Sequence, residues 1–147
     1  MDILLVGHEF VGTALVEQAG VLGWAARTTT ELDESLAAVN DLGSNDAVIV
    51  LEHEHRIATP VILCALRGGI GYVGALGSRK MQSARRASLR AAGAADDELA
   101  ALHCPTGLDL GARTPAESAV SIVAEIIATV SGRDAQPLRS GTDSISA

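Results

Sequence analysis

Ala47-Val48-Ile49-Val50-Leu51 constrains the fold of this chain more than any other segment. Five apolar residues in a row present no polar side to water, so a strand built from them must be covered on both faces. Helices on both faces imply a parallel sheet between two helical layers. The rest of the sequence agrees. Ile3–Val6, Trp24–Thr29 and Ile70–Val73 read as further short strands, separated by helical patterns. Val11–Val21 carries Val11, Leu15, Ala19 and Leu22 along one side and is closed by Gly23 as a C-terminal glycine. Glu31–Val39 reads as a short acidic helix and Asn40–Asn45 as a turn.

Thr59-Pro60 predicts the start of the third helix, with threonine as N-cap and proline in the first turn, and Gly68-Gly69 predicts its end. Gly77-Ser78-Arg79-Lys80 begins a long basic helix, and Asp96–Leu102 forms a further short one. Thr114-Pro115-Ala116-Glu117 has the spacing of a capping box with proline at the first helical position. Its helix would bury Ala119, Ile122, Val123, Ile126 and Val130. The expected fold class is α/β, a three-layer sandwich with a mostly parallel sheet. The folded domain is expected to span residues 1–132. Residues 133–147, polar and without periodicity, read as a disordered tail.

Phe10, Trp24 and Tyr72 are the only aromatic residues, so the core has to be aliphatic. A chain of 147 residues can bury roughly two-thirds of its unfolded surface without disulfides or metals. Cys64 and Cys104 form no CxxC pair and read as reduced thiols. The formal net charge of −7 opposes a phosphate backbone, so no nucleic-acid partner is expected. No apolar run is long enough for a membrane helix, and Met1–Val6 lacks the basic flank of a signal peptide. The expected location is the cytoplasm, with no membrane partner.

Ligands of parallel α/β sheets sit beyond the carboxyl ends of the strands. The first strand ends in Gly7-His8-Glu9-Phe10-Val11-Gly12. Gly7 and Gly12 fit the first and third glycines of a dinucleotide-binding turn, but Glu9 stands where the middle glycine lets a pyrophosphate approach the backbone. The second strand ends in Thr28-Thr29-Thr30, where an acidic residue would hold the ribose. This is a Rossmann-like unit from which NAD(P) binding is not expected. Leu51-Glu52-His53-Glu54-His55 after the third strand is either a solvated loop or, with His8, His103 and Cys104, part of a site. Its histidine spacing matches no zinc pattern, so no metal is expected, and no catalytic set is visible. Gly77-Ser78-Arg79-Lys80 combines amide donors, a helix dipole and two cations, the makings of an anion site. It reads equally as a capped helix start with surface cations. Pro105–Pro115, with Asp109 at its centre, either connects elements or binds.

Two segments carry a resemblance. Gly71-Tyr72-Val73-Gly74-Ala75-Leu76-Gly77-Ser78-Arg79 is the first. Pro105-Thr106-Gly107-Leu108-Asp109-Leu110-Gly111-Ala112-Arg113-Thr114-Pro115 is the second, and it continues through Glu117, Ala119, Ser121, Ile122, Ala124, Glu125 and Ile126. Both resemble motifs of the xanthine dehydrogenase accessory protein family, and with Leu22-Gly23-Trp24 and Val48-Ile49-Val50 the resemblance covers residues 2 to about 130. It implies a Rossmann-like domain, usually dimeric, in proteins that bind and protect the molybdenum cofactor (molybdopterin) and assist its insertion into a molybdenum hydroxylase. It also implies a separate N-terminal domain with a cysteine involved in cofactor handling, which this chain is expected to lack. The Gly7–Gly12 turn, the missing acid after the second strand and Glu52-His53-Glu54 depart from the family pattern, whereas the C-terminal half follows it.

The expected function is therefore that of an accessory, chaperone-type module rather than a turnover enzyme. The expected partner is a molybdenum hydroxylase or a separate N-terminal accessory domain, and a homo-dimer is expected. Candidate cofactor-binding residues are Gly7, Gly12, His53, Gly77, Ser78, Arg79, Gly107, Asp109 and Thr114. Two alternatives stand beside it: an NAD(P)-dependent oxidoreductase or nucleotide-binding protein, resting on the fold alone, and a docking module that binds no ligand.

Overall fold

The computed structural model describes residues 1–140. Four strands form one sheet: β1 (Asp2–Val6), β2 (Ala25–Thr29), β3 (Ala47–Val50) and β4 (Tyr72–Ala75). Their order is β2-β1-β3-β4, and every pairing is parallel. The mostly parallel sheet expected from the sequence is thus wholly parallel among the described residues. From β1 the chain first moves to one side, to β2, and then returns past β1 to β3. The order therefore reverses between β1 and β3, and this is the point where open α/β sheets present a crevice.

Among the described residues six α-helices cover the sheet: α1 (Phe10–Val21), α2 (Leu32–Asn40), α3 (His55–Arg67), α4 (Arg79–Ala91), α5 (Asp96–Ala100) and α6 (Pro115–Val130). Successive strand residues point to opposite faces, and the core divides accordingly. Leu4, Val6, Val48, Val50 and Val73 pack with α2, α3, α4 and α5. Ile3, Leu5, Ile49 and Tyr72 pack with α1 and α6. The crossovers that move in opposite directions along the sheet lie on opposite faces, which gives every βαβ connection the same hand. Beyond β4 a single parallel bridge joins Gly74 to His103, so the chain touches the sheet edge once more before α6.

Several boundaries differ from expectation. Helix α3 begins at His55, with Glu54 as its N-cap and Pro60 inside it. The Ile57 and Ala58 amides already bond to the Glu54 carbonyl, so the first turn is closed before the proline, whose missing N–H removes one later bond. Thr59 is accordingly no cap. It is a buried helix residue whose hydroxyl finds no partner. Strand β4 starts two residues later than predicted. A Cβ on Gly71 would stand 2.1 Å from the Ser44 carbonyl oxygen: residues 70–71 pass over the turn before β3 and meet β3 only at Tyr72. Helix α5 stops at Ala100 because the His103 amide is drawn to the Val73 carbonyl at 3.0 Å. Trp24 closes α1 through its amide bond to the Ala19 carbonyl, and β2 begins after it.

Helix α6 has the capping box and the buried stripe read from the sequence, with Val130 only partly buried. In the expected tail, residues 133–140 are exposed and carry one 3-10 turn at Leu138–Ser140. Residues 141–147, also assigned to that tail, lie outside the described residues. Among the described residues no helix is long and apolar enough to cross a membrane.

Candidate functional site

The carboxyl ends of the strands gather three groups of residues. The first lies at the reversal point. Gly7 has φ +108°, and a Cβ there would stand 2.7 Å from the Glu52 amide nitrogen; only glycine lets the end of β1 lie against the end of β3. A Cβ on Gly12 would meet Leu51 at 2.8 Å, so this glycine sets the close packing of α1 on the sheet. The outer glycines thus perform the packing tasks of a dinucleotide-binding turn. The middle position does not. Glu9 is the N-cap of α1, and its Oε1 lies 3.6 Å from His53 Nε2 across the crevice. The Glu52 carboxylate accepts the His53 and Glu54 amides at 2.8 and 2.9 Å. Donors that would face an anion beyond β3 are therefore turned onto an internal carboxylate.

A cleft of about 410 Å³ opens beside this turn, lined by residues that include Gly7, His8, Glu9, Gly12, Glu17 and Thr28. Its lining has two carboxylates and no lysine or arginine, a field that repels a pyrophosphate. At the end of β2 the buried Thr29 hydroxyl pairs with Ser35 Oγ at 2.9 Å, and Ser35 Oγ donates to the Glu31 carbonyl. The position where a ribose-binding acid would stand is spent on packing.

The second group follows β4. Gly77 has φ +153° and leads into Ser78, the N-cap of α4, whose hydroxyl oxygen accepts the Met81 amide at 3.4 Å. Arg79 and Lys80 are exposed on the first turn. Behind them Arg85 is buried, its Nη2 donating to the carbonyls of Glu52 and Leu76 at 3.4 and 3.3 Å. Sequence reasoning passed over Arg85 because it stands in a basic run. Its spacing of four from the buried Leu89 was the available signal.

The third group pins the loop after the His103 bridge. The Tyr72 hydroxyl lies 2.5 Å from Glu125 Oε2 and 2.6 Å from Thr106 Oγ1. Glu125 Oε2 accepts the Gly107 amide at 2.6 Å, and Oε1 meets His103 Nδ1 at 3.1 Å. The His103 ring stacks on Tyr72, centroids 4.4 Å apart. Burial, reinforced by the Glu125 carboxylate, pushes the tyrosine hydroxyl far above its ordinary range. Burial alone would raise Glu125, but hydrogen bonds from His103, Tyr72 and the Gly107 amide together hold it below the usual carboxylate range. At neutral pH the pair is a protonated phenol on an ionised carboxylate. The pair ties β4 and α6 to the loop through Thr106 and Gly107 and serves as a clamp. Glu125, on α6 between Ile122 and Ile126, was the other residue missed; it is an acid set against a buried stripe.

The predicted residues are thus placed unequally. Gly7, Gly12 and His53 meet at the reversal point, and Gly77, Ser78 and Arg79 stand at the adjacent strand end. Gly107 is held by the clamp, with φ +105° and no room for a side chain against Ser121. Thr114 is engaged in the capping box with Glu117, and Asp109 is exposed on the loop. Among the described residues no hydrogen bond ties Asp109 or Thr114 to the other strand ends.

Comparison with known proteins agrees with this architecture. An uncharacterized protein of Escherichia coli (strain K12), YqeB, is 29% identical over 146 aligned positions, covering 85% of this chain and 26% of that protein. A solved structure described as a xanthine dehydrogenase from Bacillus halodurans superimposes with a TM-score of 0.70 at 21% identity, over 95% of this chain and 45% of that one. The chain therefore spans about a quarter of the curated relative's length and less than half of the structural neighbour's. At that identity the structural likeness establishes the fold. The family profile described as the XdhC Rossmann domain matches residues 3–126, most of the chain, and the protein belongs to that family.

Proposed function

We propose that this domain is an accessory module for a molybdenum hydroxylase, holding the molybdenum cofactor while it is prepared for or delivered to the enzyme. The observation that carries the reading is the family match over residues 3–126. The donor chemistry fits one end of such a ligand. Molybdopterin carries a phosphate, and Ser78, Arg79 and Lys80 place a capped helix start and two exposed cations beside the reversal point. Gly77 supplies the turn into that helix, and Asp109 on the neighbouring loop is an exposed acceptor for a pterin. The cofactor would supply the redox-active metal of the target enzyme; the chain's own part is to bind and shield it. Its partner is the hydroxylase or a separate accessory domain, and the working form is a homo-dimer.

The acidic cleft at Glu9 and Glu17 supports the further expectation that nicotinamide dinucleotides do not bind. Calorimetry with NADH and NADPH should register no binding, and micromolar affinity for either would replace this reading with an oxidoreductase. The direct test is native mass spectrometry of gently purified protein. A retained mass equal to a molybdopterin species is the expected result. A bare protein that also fails to take up added cofactor would overturn the proposal.

A further inference from the structure

Arg85 is a buried cation with no ion-pair partner among the described residues. It is 2% exposed. Its two hydrogen bonds, to the carbonyls of Glu52 and Leu76, are 3.4 and 3.3 Å long, well beyond charge-assisted distances. Its Nε and Nη1 meet no acceptor. None of the ion pairs among the described residues includes it. Burial pulls the guanidinium below its ordinary range, opposed only by the Cys104 thiol, itself pushed up by burial, and by the Glu52 carboxylate, already bonded to two backbone amides. An unpaired buried charge is among the costliest arrangements a fold can hold.

Its position is informative. The two carbonyls belong to the residues just beyond β3 and just beyond β4. The side chain therefore runs back along α4 toward its N-terminus, the direction helical side chains take. At that terminus the Arg79 and Lys80 amides have no helical acceptor, and both side chains are exposed cations. Five of the chain's eleven lysines and arginines (Arg79, Lys80, Arg85, Arg86 and Arg90) stand on this one helix.

We propose that the mouth between the ends of β3 and β4, at the N-terminus of α4, binds a compact dianion of the phosphate-monoester class. The Arg79 and Lys80 amides and side chains form the rim, and Arg85 is the buried countercharge beneath them. The neighbouring crevice sets the size of the ligand's charged part. Glu9 and Glu52 stand at the ends of β1 and β3, with Glu54 beyond them paired to Arg56, so a polyphosphate extended across the sheet meets the Glu9 and Glu52 carboxylates where a single terminal phosphate does not. This is the helix start to which the proposed function assigns the cofactor's phosphate, and the inference rests on that reading for its natural ligand, while the phosphate titration tests the site separately.

The test is an amide-resolved NMR titration of the intact chain with inorganic phosphate, at ionic strength held constant with sodium chloride. Saturating shifts centred on Ser78–Lys80 are expected. Arg85→Met should weaken the affinity about tenfold or more, the scale of a lost charged hydrogen-bond partner. Arg79→Ala should weaken it less, and Asp33→Asn, exposed on α2 away from the site, should leave it unchanged. Shifts that never saturate, that centre elsewhere, or that persist with equal affinity in Arg85→Met would overturn the assignment. Should Arg85→Met fail to fold, the double variant Arg79→Ala/Lys80→Ala decides, and unchanged affinity there overturns it equally. Phosphate binding without cofactor retention would leave this site standing and remove the accessory role. Cofactor retention with a flat phosphate titration would do the reverse.

Discussion

A methyl group at position 74 would stand 2.5 Å from the Thr106 hydroxyl oxygen and 2.7 Å from the Tyr72 ring. The missing side chain is what lets Tyr72 reach along its own strand to the far loop. Gly74→Ala should therefore cost about 1–3 kcal/mol, the scale of overpacking in a filled core. A denaturation midpoint equal to wild type would show that the ring and loop yield freely. Glu125 gives a second test. Its folded carboxyl titrates below the unfolded value of about 4.3, so its contribution is complete above that pH and is lost as pH falls through the folded value. Glu125→Gln should be less stable than wild type at neutral pH, and the gap should close on acidification. A gap independent of pH would mean that the carboxylate charge does not hold the clamp. Tyr72, Gly74 and Gly107 were legible as members of a motif, yet the reason for them was not. It lies in contacts between residues 18 to 53 positions apart along the chain, which periodicity does not reach.

Elements were more legible than their ends. The start of α6 was read in full because capping is local chemistry. Thr114 Oγ1 accepts the Glu117 amide, and the Glu117 carboxylate accepts the amides of Arg113 and Thr114. Thr114→Ala should cost about 1 kcal/mol, lowering the melting temperature by roughly 3 °C in a domain of this size. A shift below 1 °C, within the noise of surface substitutions, would count against the cap. The start of α3 was misread by the same local logic. Thr59-Pro60 looks like a cap followed by a first-turn proline, but Ile57, Ala58 and Val61 are buried in the core shared with α2, α4 and α5, and that burial extends the helix backwards through His55. Tertiary packing outweighed the proline. For β4 it was the turn at Gly43–Asp46, packed against Gly71, that displaced the start. In each case the deciding contact came from elsewhere in the chain.

The whole molecule is a parallel sheet dividing two aliphatic cores, and this much followed from five consecutive apolar residues and the helical patterns around them. The order of strands did not follow, because period and propensity do not say on which side of β1 the chain returns. The candidate site was half legible for the same reason. Strand ends were identified, but Arg85 and Glu125 reach those ends from helices and became visible only in three dimensions. The division into two cores has a measurable consequence. Ile49 points to the α1–α6 side and Ile62 lies on α3 on the other, both fully buried. Ile49→Val and Ile62→Val should each cost about 1 kcal/mol. With the sheet between them, the double variant should equal the sum within about 0.5 kcal/mol, still through one cooperative transition. A coupling above that size would mean that the sheet transmits packing strain from one core to the other, whereas two separate transitions would mean that the two layers fold as independent units.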